Sequence, residues 1–269
     1  MHQLLVSDIR IYPVKSLGGI SLSHARVLSR GLAYDRRWML VDDQNLFMTQ
    51  RDYPGLALFK TSFGSNGILI RYADSSIEIP FTVHGQTTIP ARVWNDDVEV
   101  MEPDTAYSRW FSQILSKPCK LVWFPDHHRR AVDPFYALHN DQVSLADGFP
   151  FLLTGQSSLD ELNRQLKEPI PMNRFRPNIV FRGGLAFQED QWHYFQIGEC
   201  RFAAVKPCAR CVTITVDQET GIKGMEPLRT LSAFRMKNNK VYFGQNLLVL
   251  NEGEISVGQE IIIEKDNFY

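Results

Sequence analysis

"KPCARCVTITVDQETG", residues 206–221, sets Cys208 and Cys211 three positions apart, puts Arg210 between them and runs into a β-branched stretch. The alternation in "VTITV" predicts a strand rather than a helix directly after the second thiol. That choice bears on the whole fold. A thioredoxin-like dithiol needs its first cysteine at a helix N-terminus, where the dipole lowers the thiol pKa, and a strand there removes that mechanism. The pair therefore belongs to a chain built from strands.

Outward from that segment the same period-two pattern recurs. "LLVSDIRIYPV", "ISLSHARVLS", "RWMLVDD", "GILIRYA", "SIEIPFTV" and "ARVWNDDVEVM" alternate between Gly, Asp, Asn or Pro turns, and so many short strands indicate a barrel or a sandwich. A helix is expected over 104–117, with Asp104 as its cap and Trp110, Phe111, Ile114 and Leu115 on one face, closing a first domain. The stretch "FPDHHRRAVDPFYALHNDQ" lacks periodicity and reads as a connection or a lid. A second helix opens at Ser158, where Glu161 completes a capping box, and a third lies near "MEPLRTLSAFR" with Pro227 in its first turn. "NIVF", "WHYFQIG", "RFAAV" and "VTITV" supply further strands, and "EISVGQEIIIE" reads as a closing hairpin turning at Gly258. The expected class is mainly β (α+β) with a few peripheral helices.

The 269 residues, 44% hydrophobic and 22% charged, have ordinary globular composition with room for one large domain or two small ones. Lys plus Arg number 29 against 30 Asp plus Glu, so no bulk basic field exists to hold a nucleic-acid polymer or an anionic membrane. Four cysteines do not make a disulfide scaffold. The start, "MHQLLVSDIRIYPVKS", lacks a basic segment followed by an apolar run, and nowhere do about 18 apolar residues stand together. These features predict a reduced, cytoplasmic protein whose partners are small molecules or other proteins.

For the thiols three readings stand. A structural zinc site needs four ligands, and beyond Cys208 and Cys211 only Cys200, Cys119 or a stray histidine would be on offer. Free cysteines are often buried as small hydrophobes. Against that, Lys206, Pro207 and Arg210 put turn-forming and cationic company beside the pair, which favours a thiolate that binds metal. Cys211, next to the expected strand, suits a single soft ligand on a rigid edge.

"PCARCVTITVDQETG", "EPLRTL", "FGQNLLV", "YPVKS", "YDRRWMLVD", "ADGFPFLLTGQSSLDELN" and "NRFRPNIV" together resemble the MOSC superfamily, and more closely the YcbX-type bacterial proteins and the mitochondrial amidoxime-reducing components. The match follows one order along nearly the whole chain. It implies a MOSC N-terminal β-barrel domain over 1–118 and a MOSC domain over 119–269, with a molybdenum cofactor (a molybdopterin) between them. It implies reduction of N-hydroxylated small molecules such as amidoximes, hydroxylamines or N-hydroxylated bases. The alternative is a module that carries the cofactor or sulfur without turnover of its own.

By the same resemblance Cys211 is the molybdenum ligand, and Cys208 has no ligand role. Lys15 and Ser16 match the phosphate side of the cofactor, where an ammonium and a hydroxyl suit an anion. Arg36, Arg51, Arg176, Asn178, Arg210 and Asn246 match further contacts, with Arg37 expected in solvent and Arg176 forced into extended geometry by Pro177. Asp147 matches an acidic residue near the metal that relays a proton or binds a basic substrate. Without the resemblance, Lys15 and Arg176 read as solvated side chains and Asp147 as a turn residue before Gly148. Ala209 and Asn246 stand where the mitochondrial proteins have serine and tyrosine. The sequence has no C-x4-C-x2-C pattern for a [2Fe-2S] cluster, so electrons are expected from a ferredoxin-like domain or a separate reductase protein.

Overall fold

Alternating apolar residues become short strands throughout the first hundred residues. The computed structural model describes residues 3–83 and 88–264. In chain order they form β1 (Leu5–Ile11), β2 (Ile20–Leu22), β3 (His24–Leu28), β4 (Gly31–Leu32), β5 (Trp38–Val41), β6 (Lys60–Phe63), β7 (Gly67–Tyr72), β8 (Ser75–Pro80), β9 (Ile89–Val93), β10 (Asp96–Val100) and α1 (Thr105–Leu115). There follow β11 (Lys120–Trp123), β12 (Phe151–Gly155), α2 (Gln156–Gln165), β13 (Ile179–Arg182), β14 (Tyr194–Ile197), β15 (Cys200–Arg210), α3 (Leu228–Arg235), β16 (Met236–Lys237), β17 (Lys240–Val249), β18 (Gly253–Ser256) and β19 (Ile261–Ile263). The class is mainly β with a few helices, as expected. Among the described residues no helix is long and apolar enough to cross a membrane.

The largest sheet runs β19-β14-β15-β17-β12-β13-β1-β2, with β16 attached to β17. Its pairs are antiparallel except β12 with β13, which are parallel and joined through α2. β1, with β2 beyond it at the edge, therefore sits in a sheet made otherwise from the second half of the chain, and β3 pairs with β18 in the same way. These two pairings bring the "YPVKS" turn, just after β1, to the second half. Phe151, Phe181, Phe195 and Phe202 fill one core at 1% exposure or less. Each contributes about 1.5–3 kcal/mol by leaving water.

A second core gathers Trp38, Phe59, Phe111 and Leu121. Phe111 comes from α1, with Trp110, Ile114 and Leu115 packed alongside. The Asp104 carboxylate accepts from the Ala106 amide at 2.7 Å, the expected cap.

Three expectations fail for tertiary reasons. "VTITV" is not a strand: Val212–Thr215 form a turn of 3₁₀ helix, because Ile214 is drawn into a core with Leu231 and Phe243 while Arg174 takes its carbonyl. Burial overrides β-propensity here. The capping box at Ser158 does not form. α2 starts at Gln156, and the Ser158 hydroxyl donates to the buried Glu189 carboxylate, which also accepts from the Gly155 amide.

Gly258 does turn, but β18 and β19 pair with β3 and β14 rather than with each other, so no closing hairpin exists. The aperiodic stretch 124–142 is, of its two readings, the connection: it joins β11 to β12 as a packed strap. Val132 and Val143 are buried against Leu248, and Arg130 is 6% exposed, although Phe135 projects at 84% exposure.

Candidate functional site

β15 delivers the thiols. Its first half alternates into the core through Cys200 and Phe202, and two register shifts against β17, at Ala204/Lys206 and Pro207/Ala209, re-aim its second half. Opposite the second shift Gly244 has φ +80, where a Cβ would come within 2.7 Å of the Leu153 carbonyl oxygen. Beyond the bulge Pro207, Ala209 and Cys211 lie on the exposed face, while Cys208 and Arg210 lie on the half-buried one. Three steps of extended chain put the two cysteines about 10 Å apart, beyond the reach of a disulfide, and the period of two points them apart. A dithiol is excluded by that geometry.

Cys119 and Cys200 are buried, and burial pushes both thiols up, Cys200 to about 11. They are packing residues. Among the described residues no three His, Cys, Asp or Glu side chains form a metal-binding group, so the zinc reading has no ligand set.

Arg210 donates from Nη1 to Cys208 Sγ at 3.0 Å and from Nη2 to the Phe175 carbonyl at 2.7 Å. The exposed Cys211 thiol donates to the Thr213 hydroxyl at 3.2 Å. The segment after Cys211 is held by Arg174, which donates to the carbonyls of Ile214 and Glu226 and pairs with Asp217. A reciprocal amide pair, Gln50 with Gln218, then ties this segment to the Ser16 carbonyl, which accepts from Gln50 Nε2 at 2.7 Å. Thus Ser16, with φ +70, and Cys211 belong to one framework despite their distance in sequence.

Next to it two arginines crowd together. Arg36 grips Asp35 through both carboxylate oxygens at 2.9 and 2.7 Å and donates to the Arg176 carbonyl. The guanidiniums of Arg36 and Arg176 lie 4.2 and 4.1 Å from the centre of the Tyr12 ring. Tyr12 fits because residue 19 is glycine, whose Cβ would fall 2.6 Å from the ring.

Burial lowers Arg176 to about 10 and raises Tyr12, with the nearby arginines opposing the latter. Burial also raises Asp35, against the pull of Arg36. Arg176 has φ +56, so it is left-handed rather than extended as Pro177 suggests; its backbone is held by the Asn173 carbonyl and by Arg36. Arg37 is not a solvent residue: its side chain is 12% exposed, pairs with Asp126 and donates to the Phe124 carbonyl.

Lys15, 6% exposed, donates to the Leu145 carbonyl at 2.9 Å and to Asp147 Oδ1 at 2.5 Å. Burial lowers its pKa, with Asp147 opposing. Crowding by protein atoms works against the ionised Asp147, although 71% of the side chain meets solvent. Lys15, Trp94 and Arg36 outweigh that and hold the carboxyl below the usual carboxylate range. Arg130 fixes this loop by donating to the carbonyls of Ser144, Ala146 and Asp147.

Arg51 stands over the Trp94 ring at 4.3 Å. Asn178 is 2% exposed and committed within the protein: Nδ2 donates to the Arg10 carbonyl and Oδ1 accepts from the Leu152 amide. It braces the base of the site. Asn246 lies mid-sheet, opposite Leu152 and Lys206.

Arg174, Arg130, Tyr12, Trp94 and the Gln50–Gln218 pair were not singled out by sequence reasoning. "NRFRPN", "YPVKS" and "MTQRD" put three of them, Arg174, Tyr12 and Gln50, beside matched residues.

Tyr12 Oη, Arg176 Nη2 and Arg210 Nε are buried with no hydrogen-bond partner among the described residues. Each such group costs about 1–3 kcal/mol. Two cationic donors and a phenol left unpaired beside an exposed thiol suit an anionic, acceptor-rich group with a soft metal, and a phosphorylated molybdopterin has that chemistry.

Residues 3–118 match the family model of the MOSC N-terminal beta barrel domain, and residues 140–262 that of the MOSC domain. Mitochondrial amidoxime-reducing component 1 of Mus musculus is 31% identical over 96% of this chain and 82% of its own length. The Homo sapiens protein of that name is 30% identical with the same coverage. Molybdenum cofactor sulfurase of Oryza sativa subsp. japonica is 29% identical over 96% of this chain but only 34% of its own length. The chain is a member of the MOSC-domain family to which the mitochondrial amidoxime-reducing components belong.

Proposed function

We propose that this chain holds a molybdenum cofactor and reduces N-hydroxylated small molecules, with Cys211 as the protein's ligand to molybdenum. The carrying observation is the set of buried donors on Arg176 and Arg210, unpaired among the described residues, next to the exposed Cys211 segment. Lys15, Ser16, Arg36 and Arg176 would face the phosphate. Arg51, Arg210 and Asn246 would face the pterin, with Asn178 bracing them from below. When bound, the cofactor supplies the two-electron redox chemistry.

The protein's own part is to orient and to manage charge. Removing the N-bound oxygen as water takes two electrons and two protons. Asp147, kept ionised by Lys15, acts as an acceptor for the N–H or O–H groups of a basic substrate rather than as the acid. The Asp35–Arg36 pair keeps one guanidinium fixed at the anion side. We assign the anion-side turn and the thiol strand to the halves 1–118 and 119–269 respectively. Electrons come from a ferredoxin-like domain or a reductase protein.

Two measurements on protein from a cofactor-competent host test this: elemental analysis for molybdenum, and turnover of benzamidoxime with a dithionite-reduced dye. The expected result is bound molybdenum and turnover with the dye but little with reduced nicotinamide alone. A chain without molybdenum sinks the proposal. The similarity to a molybdenum cofactor sulfurase favours a second reading, a cofactor or sulfur carrier, which bound molybdenum with no turnover under any donor would establish.

A further inference from the structure

β9 and β10 are joined by only two residues, Trp94 and Asn95, and Trp94 carries φ +58. Two-residue hairpin turns with positive φ are the province of glycine and asparagine, and a bulky side chain there is strained. The rest of the hairpin is ordinary, with Ala91, Val93, Val98 and Val100 turned into a core. Trp94 is instead 41% exposed, whereas Trp38, Trp123 and Trp192 are buried at 6% or less. It serves neither the turn nor the core.

Its contacts are with the site. The indole Nε1 donates to Asp147 Oδ1 at 3.2 Å, the oxygen that also receives Lys15. The Arg51 guanidinium stands 4.3 Å from the ring centre, and the Phe47 ring lies 5.3 Å away at 52°. Phe47 in turn has the Lys15 ammonium 5.3 Å from its centre. A strained side chain fixed by several groups of a candidate site marks a function that the fold does not need. Lys15, Arg36, Arg176 and Asp147 offer charge, which binds the polar end of a molecule but not a conjugated frame. A partly exposed indole beside them offers the missing flat apolar surface.

We propose that Trp94 is a substrate-binding residue, an aromatic platform on which flat, conjugated N-hydroxylated compounds stack while their polar end faces Asp147. The proposal rests on the reductase reading above. It favours aromatic amidoximes and N-hydroxylated bases over small aliphatic hydroxylamines.

The experiment is equilibrium dialysis of benzamidoxime against the holoprotein without electron donor, for wild type, Trp94→Gly and Trp94→Phe, with molybdenum content and thermal midpoint measured alongside. Glycine relieves the positive φ, so Trp94→Gly should keep its molybdenum and melt no lower than wild type while binding benzamidoxime about 10-fold more weakly. Trp94→Phe, which keeps an aromatic face, should stay within about 3-fold of wild type. In steady state the KM for benzamidoxime relative to that for hydroxylamine should rise about 10-fold in Trp94→Gly, as loss of one stacked ring predicts. Unchanged benzamidoxime binding in Trp94→Gly overturns the platform, as does an equal loss in Trp94→Phe. A wild-type protein without molybdenum would instead overturn the reading beneath it, so the two failures are distinct.

Discussion

The two ends of β15 obey different rules. At its start Cys200 and Phe202 are fully buried, the Cys200 thiol is pushed up to about 11, and apolar contact satisfies each inward side chain. At its end, past two register shifts, Cys211 is exposed, Cys208 takes a hydrogen bond from Arg210, and Arg210 keeps a buried Nε without a partner among the described residues. One end is complete in itself, and the other keeps polar groups that the described residues do not satisfy. The bulges make the difference, because they break the alternation that would otherwise carry the core's pattern through to the last residue.

Breaking the complete end should cost the most stability. Phe202→Ala removes a buried ring from the main core and should lower unfolding free energy by about 3–5 kcal/mol in chemical denaturation. Molybdenum bound per folded molecule should stay near wild type. Arg174→Met should come next. It strips the Cys211 segment of bonds to the Ile214 and Glu226 carbonyls, costing about 2 kcal/mol, and it should lower molybdenum retention without touching the cofactor.

At the receptive end the effects should reverse. Lys15→Ala and Arg176→Ala should leave the melting point of the cofactor-free protein within a few degrees while weakening cofactor retention about 10- to 100-fold, as loss of a charge-assisted contact predicts. A collapse of the cofactor-free protein would make these residues part of the fold.

The smallest effect concerns pH. The folded pKa of Asp147 is depressed below its ordinary 3.8, so its pair with Lys15 adds stability that is fully present above about pH 4 and is lost as pH falls further. The gap in melting point between wild type and Asp147→Asn should therefore be constant from pH 5 to 7 and close below pH 4. A gap that widened in acid would contradict the sign.

The same contrast explains what the sequence made legible. Alternation revealed the strands because half-buried sheets impose a period of two, and Asp104 revealed α1 because capping is local. "VTITV" misled, since its turn depends on Arg174, some forty positions away, and on a core shared with α3. The Ser158 box misled for the same kind of reason, because Glu189 captures that hydroxyl from another part of the chain. Lys15, Arg36 and Asp147 were singled out through a family resemblance alone, whereas Cys211 was singled out first from its place in the segment and then by the resemblance. Tyr12, Trp94 and Arg130 carry no local signal, since an aromatic beside a proline, a tryptophan in a hairpin or an arginine in a polar loop reads as packing or solvent until the contacts are visible.

The central claim is that one thiol of the pair is the working atom. Molybdenum per protein, measured for Cys211→Ala and Cys208→Ala expressed in the same cofactor-competent host, tests it most directly. Cys211→Ala should lose bound molybdenum, while Cys208→Ala, which removes only an acceptor from Arg210, should keep most of it. Equal loss in both variants would contradict the single-ligand account and the division of β15 on which it rests.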